Sequence, residues 1–356
     1  MNCLSVATAK GRINAAGCLK LAVFFFCLSF FSLRTQTASA SEINIPFVKD
    51  GKLYSFNSDS DGKTKSYDFK NASNVFTQKS VCVSKESGYI LAWNKKTQEL
   101  WHIDAHKKIS SKAFLTGSLV YVDKNFVLSQ GNSFDENKGF EFSLYSINYA
   151  DKSISLKKIW TGFADCFISD CFFTGDGVCI SGGNREDSIN NVFYITADGI
   201  HKCFSTAKKS DFLRLINTGK SVYAFLSGRD KSPAQPVIYQ FSLNDYTESK
   251  NPDCIIDLKK DPSLPEAFEC FFGFGFAYQN RIILPASIKG SISFMILDPS
   301  KNKITSVVPD AAGCISILSN NGEGVYYMAR DPLIADSFYG ISLFDGSECK
   351  KIVTLK

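Results

Sequence analysis

The sequence predicts an all-β chain in which one short four-stranded sheet is repeated around an axis, and three observations lead there. The first is a recurring pattern of apolar run, polar turn and apolar run. It appears at Lys52–Phe69, Tyr89–Ile103, Phe142–Trp160, Asn191–Ser205, Val237–Leu258, Ser293–Val308 and Tyr339–Leu355. The starts are spaced by roughly 35 to 55 residues, close to the ~40–50 of radial sheet repeats. The second is a further pair of short strands ahead of most of these hairpins. "FLRLINT" and "SVYAFLS" flank Gly219-Lys220, and "CISILSN" and "GVYYMAR" flank Asn321-Gly322. The third is the near absence of helical periodicity and of good helix caps.

Four short strands per unit, joined by Gly, Asn and Asp turns, are the grammar of antiparallel sheets. Packed radially, such sheets hide their edges and share a core that none could form alone. The expected architecture is therefore a β-propeller of seven four-stranded blades over residues 41–356. Each hairpin above is taken as the third and fourth strands (C and D) of its blade. Only "INIPFV" precedes Lys52, so the first blade lacks a strand. A six-bladed ring with an irregular extra sheet is the alternative, and two packed β-sandwiches are a further one.

Residues 1–40 read as a separate targeting segment. Lys10, Arg12 and Lys20 precede the apolar run Leu21–Leu33, and Ala38-Ser39-Ala40 is a small-x-small cleavage site. The run is shorter than the roughly 20 residues that cross a bilayer, which favours a cleaved signal peptide over a retained anchor. The mature chain is then expected outside the cytoplasm, periplasmic or secreted, with no membrane span. Four of the 40 basic residues lie in this segment and no acidic ones do, leaving 36 against 35 acidic residues. That near-neutral balance lacks the basic footprint of a nucleic-acid binder. Nine of the 12 cysteines follow residue 40, mostly inside strand patterns such as "SVCVS" and "GVCIS". There they serve as small buried hydrophobes with free thiols.

Ala92-Trp93-Asn94-Lys95-Lys96-Thr97-Gln98-Glu99-Leu100-Trp101 resembles the repeat of quinoprotein-type propellers, A-x-D-x-x-T-G-x-x-x-W. Asn94 stands for the Asp, Gln98 for the Gly, and the span is one residue shorter. The resemblance, to quinoprotein-like or WD40-like repeats, implies a propeller without implying a quinone cofactor. Asn57, Asp59 and Asp61, with Gly62 at the bend and Asp68 at the twelfth position, partly fit a calcium loop. They also resemble the calcium hairpins of integrin-type propellers, and the ordinary reading is a solvated hairpin tip. Calcium is the only cofactor expectation. His102, Asp104 and His106 would share one face of a strand, which makes a metal sterically conceivable; no third strong ligand accompanies them.

No nucleophile elbow, Walker loop or cysteine-protease arrangement appears, and three histidines give little acid–base material. The enzyme question leans towards no. The B–C connections are expected to be long loops: Gln130–Gly139, Gly182–Asn191, Gly228–Pro236 and Arg330–Ser337. They carry Arg185 and Asp187, Arg229 and Asp230, and Arg330 and Asp331. The D–A connections at the same end bring Asp170, Asp211 and Glu269 ahead of inner strands. Loops on a rigid scaffold collect binding residues, although each Arg-Asp pair also fits a local salt bridge worth about 0–1 kcal/mol. The expected function is an exported, non-catalytic propeller that binds a protein or peptide ligand on this B–C/D–A face. A carboxylate-dependent hydrolase or lyase acting on carbohydrate and a structural component of a cell-envelope assembly are the alternatives.

Overall fold

The computed structural model of the chain describes residues 44–57, 64–67, 69, 75–184, 189–205, 212–218, 222–227, 237–241, 254–257, 268–270, 275–309, 311, 313–320, 324–330 and 339–355. The β architecture lies within Ile43–Lys356. Among the described residues there is no α-helix, only a 3-10 turn at Gln78–Ser80.

The strands form seven sheets in chain order. Sheet 1 holds β1 (Asn44–Lys49), β2 (Lys52–Asn57) and β3 (Thr64–Tyr67). Sheet 2 holds β4 (Val81–Val83), β5 (Ile90–Asn94), β6 (Glu99–Ile103) and β7 (Ile109–Phe114). Sheet 3 holds β8 (Ser118–Val122), β9 (Phe126–Asp135), β10 (Gly139–Ala150) and β11 (Ser153–Ala164). Sheet 4 holds β12 (Phe167–Phe173), β13 (Gly177–Gly183), β14 (Asn190–Thr196) and β15 (Gly199–Ser205). Sheet 5 holds β16 (Phe212–Asn217), β17 (Val222–Ser227), β18 (Val237–Phe241) and β19 (Cys254–Asp257). Sheet 6 holds β20 (Phe268–Cys270), β21 (Phe276–Tyr278), β22 (Arg281–Ile288), β23 (Ser291–Asp298) and β24 (Lys303–Val308), with β20 and β21 sharing the first position against β22. Sheet 7 holds β25 (Gly313–Asn320), β26 (Val325–Arg330), β27 (Tyr339–Phe344) and β28 (Cys349–Leu355).

Alternation along each middle strand explains the packing. Side chains two residues apart share a sheet face, and here both faces are buried against neighbouring sheets. On β5, Ile90 and Ala92 face sheet 1 while Leu91 and Trp93 face sheet 3. On β22, Ile282, Leu284 and Ala286 face sheet 5, and Ile283 faces sheet 7. Sheet 7 repeats the rule: Val325, Tyr327 and Ala329 face sheet 6, while Tyr326 and Met328 meet Ile45, Phe47 and Phe56 of sheet 1. That last contact closes the ring. The molecule is a β-propeller of six four-stranded blades with the three-stranded sheet 1 in the remaining place.

Among the described residues, sheet 1 is short of a particular strand. Phe56, at the end of β2, lies edge-on to Tyr326 at the start of β26, with ring centroids 5.3 Å apart. β26 is the second strand of its sheet, so it starts at the end of the ring where A–B and C–D turns emerge. β2 therefore finishes at that end, as a C strand does. Sheet 1 consists of B, C and D strands, and no A strand of its own is present among the described residues.

Two sequence expectations are corrected. Tyr89–Ile103 is the B–C hairpin of its blade and not the C–D one, because Val81–Val83 supplies the A strand and Ile109–Phe114 the D strand. Three residues are too short a run to read as a strand, and alternate exposure on β7 hides the other. Gln130–Gly139 is not a long loop either. β9 continues to Asp135 and β10 resumes at Gly139, because the Asp135 carboxylate accepts the Asn137 and Lys138 N–H groups at 2.8 and 3.0 Å and closes a tight turn.

The turn of Tyr89–Ile103 shows what the repeat-like residues do. Asn94 Oδ1 accepts the Lys96 and Thr97 N–H groups at 2.9 and 3.3 Å. Gln98 takes φ of 54°, the left-handed conformation that suits the glycine of the resembled repeat. Trp101 Nε1 donates to Glu99 at 2.9 Å, and Lys112 pairs with Glu99 at 3.2 Å while lying over the indole.

The six cysteines whose side chains are described are thiols and not disulfides. Burial pushes the Cys166 thiol up to about 12, and Cys203 and Cys349 up to about 11. The thiolate is the reactive species, so Cys166, Cys171, Cys179 and Cys203 should resist iodoacetamide near neutral pH in the folded chain. Peptide mass mapping should show them labelled only after denaturation; rapid native labelling of any of the four would contradict this packing.

Candidate functional site

The B–C/D–A end is where sequence reasoning places the binding residues, and the structure describes part of it. Asp170 lies inside β12 and not ahead of an inner strand, and it is 7% exposed. Its Oδ2 accepts the Leu215 N–H at 2.9 Å, which ties the inner strands β12 and β16 of adjacent sheets together. That is a structural cross-link and not a carboxylate standing at a channel mouth. Glu269 is paired with Ser287 in β20, and Arg330 ends β26 opposite Gly313. Arg185, Asp187, Asp211, Arg229, Asp230 and Asp331 lie outside the described residues.

The metal expectations fare similarly. Asn57 is buried at the end of β2, opposite Asn44, while Asp59, Asp61 and Asp68 lie outside the described residues. His102, Asp104 and His106 do not converge. His102 is fully buried, Asp104 caps its own turn by accepting the Lys108 N–H at 2.8 Å, and His106 is exposed. Among the described residues no group of three or more His, Cys, Asp or Glu side chains is placed to hold a metal.

At the opposite, A–B/C–D end, the structure brings together residues that no motif signals. His102 Nδ1 lies 3.1 Å from the Lys152 carbonyl in the C–D turn of sheet 3, and Nε2 lies 3.0 Å from Ser84 Oγ in the A–B loop of sheet 2. A carbonyl only accepts, so Nδ1 carries the proton and the Ser84 hydroxyl donates to Nε2. Tyr89 stacks on the imidazole with centroids 4.4 Å apart, and Tyr149 meets it edge-on at 5.8 Å. Tyr149 in turn donates to the Lys124 carbonyl at 2.7 Å. The Ser84–His102 bond has the composition of a hydrolytic dyad, but both residues are buried, so it has no access to substrate. The pair fastens sheet 2 to sheet 3.

Apolar exposure is distributed unevenly over the ring. Among the described residues the exposed large hydrophobics are Phe114 (75%), Phe134 (48%), Phe167 (54%) and Val307 (42%). Phe114 ends β7 and Val307 nearly ends β24, both D strands; Phe134 lies near the end of the B strand β9; Phe167 starts the A strand β12. All four therefore sit at the B–C/D–A end. Phe134, Phe140 and Phe167 form one aromatic row, with centroids 5.2 and 5.0 Å apart. Sequence pattern misses this row because the stretch around Phe134 reads as a loop.

No protein-family model matches the chain, and no curated protein matches it. Solved structures do. Puromycin hydrolase is similar over 89% of this chain and 54% of its own, at 12% identity and a TM-score of 0.53. A structure described as one of two prolyl endopeptidases, studied for the role of inter-domain dynamics in catalysis and specificity, is similar over 95% of this chain and 53% of its own, at 9% identity and a TM-score of 0.54. The chain thus spans about half the length of these neighbours. The likeness shows the shared propeller fold. It also corrects the expectation of a non-catalytic propeller holding a protein or peptide ligand on its B–C/D–A face, since these neighbours are hydrolytic enzymes.

Replacing Asp170 with Ala should cost roughly 1–3 kcal/mol, because the buried Leu215 N–H loses its acceptor. Urea unfolding of the variant would show this as a lower midpoint with an unchanged slope; an unchanged midpoint would remove the cross-link from the account.

Proposed function

We propose that this chain is the propeller part of a peptidase-type hydrolase, serving a hydrolytic centre that the described residues do not themselves display. The observation that carries the reading is the extent of the likeness. Nearly all of this chain aligns with about half of puromycin hydrolase and of a prolyl endopeptidase. Two features of the ring support it. The imidazole with a hydroxyl partner, His102, is closed off in the blade 2–3 junction. The exposed aromatic row Phe134–Phe140–Phe167 gives the B–C/D–A end an apolar surface of the kind that packs against another domain of an enzyme.

The test uses the full chain, puromycin and a chromogenic prolyl peptide. The chain alone should hydrolyse neither. Recovered from its own cells under mild conditions, it should carry hydrolysis of at least one. Replacing Phe134 and Phe167 together with Ser should lower the co-recovered activity by about tenfold or more, the scale expected when two central aromatic anchors are removed. Recovery of the chain with no hydrolytic activity would overturn the reading. So would co-recovered activity indifferent to the two substitutions, or robust hydrolysis by the chain alone.

A further inference from the structure

We propose that His102 is an acid-operated latch at the A–B/C–D end, holding the A–B loop of sheet 2 against sheet 3 when neutral and releasing it when protonated. This inference stands on the blade 2–3 junction and does not depend on the hydrolase reading. Three separate segments meet on the imidazole: Ser84 and Tyr89 from the A–B loop of sheet 2, Tyr149 and Lys152 from the C–D hairpin of sheet 3, and Ser110 from β7. The hydrogen bonds specify the neutral ring. Nδ1–H points at the Lys152 carbonyl, and Nε2 receives the Ser84 hydroxyl, whose oxygen accepts the Glu86 N–H at 3.3 Å.

A second proton on the ring would sit on Nε2, where the Ser84 hydroxyl now donates. That bond must break or turn. The nearest carboxylate among the described residues, Glu86, lies 3.9 Å from Nε2 with its side chain 27% exposed, and it offsets only part of the cost of charging the buried ring. The other charged groups around the junction are engaged elsewhere or exposed. Asp123 accepts the Asn125 and Phe126 N–H groups at 2.7 Å each. Asp104 caps the 104–108 turn, and Lys85, Lys107, Lys108, Lys124, Asp151 and Lys152 are exposed. Glu99 is at the other end of β6, paired with Lys112. Moving the A–B loop would also break the Lys85 N–H bond to the Tyr149 hydroxyl, and with it the link to the A–B turn of sheet 3.

The sign follows from burial, which holds His102 below its ordinary 6.5. The released form binds a proton as pH falls through that ordinary value, whereas the latched form does so only lower. The latch is therefore complete above about pH 6.5 and is lost progressively below it.

Hydrogen exchange of the full chain at about pH 7.5 and pH 5, corrected for intrinsic rates, tests this. Protection of residues 84–89 and 149–154 should fall by about tenfold or more in acid, while Val325–Arg330 in sheet 7 stays unchanged. His102→Asn, which cannot titrate, should make the 84–89 segment indifferent to pH. Glu86→Gln, at a partly exposed position outside the latch hydrogen bonds, removes a carboxylate that favours the charged ring in the latched form, so the acid-induced loss of protection should be at least as large as in the parent chain. Equal protection at both pH values would overturn the proposal, as would an acid response that survives His102→Asn or one that Glu86→Gln diminishes.

Discussion

Everything in this molecule depends on sheets that have no solvent face. Each middle strand presents apolar side chains in both directions, and each set is covered only when a neighbouring sheet is present. Trp93 needs sheet 3, Trp101 needs sheet 1, and Tyr326 and Met328 of the last sheet need Ile45 and Phe47 of the first. An open row of such sheets would leave two apolar faces in water, at roughly 25 cal/mol for each Å². Ring closure removes both. Sheet 1 can do this with three strands because the contacts that matter come from its β1 and β2 side chains.

The closed ring creates two unlike ends. Three described turns at the A–B/C–D end are short and capped by their own side chains. Asp123, Asp298 and Asp345 each accept N–H groups two or three residues ahead. Such turns order the end without consuming apolar surface. Inter-sheet polar links concentrate there as well, including His102 with Lys152 and the Tyr278 hydroxyl with the Asp345 carbonyl. At the B–C/D–A end the long β9–β10 hairpin carries Phe134 and Phe140 beyond the short β8 and places them beside Phe167 of the next sheet. Among the described residues, one end carries self-capped turns and a titratable junction, and the other carries the exposed aromatic row.

Asp170 shows how a charged residue joins such a core by bonding to backbone. Its neighbour across the sheet junction is a backbone N–H, a donor that an inner strand has to spare because one of its edges lacks a strand partner. The thiols follow the opposite logic. Cys171 and Cys179 occupy tight inter-sheet positions where a small apolar side chain fits, and burial pushes the Cys179 thiol well up.

The sequence by itself determined the repeat, the strand content, the β-propeller class, the buried cysteines of the core and the three strands that the described residues give the first sheet. All of these are carried by local alternation and by the spacing of turns, which a chain displays in linear order. Hairpin identity was legible where both strands were long, as at Phe142–Trp160. It was lost at Tyr89–Ile103, where a three-residue A strand left too little alternation to count. Only the tertiary structure decided which end each turn occupies, that Asp170 bonds Leu215 and that His102 bridges two blades. It also decided that three phenylalanines from different strands share one surface. The physical reason is that these are contacts between sheets: their partners are as much as 50 residues apart in the chain, and no spacing rule in the sequence links them.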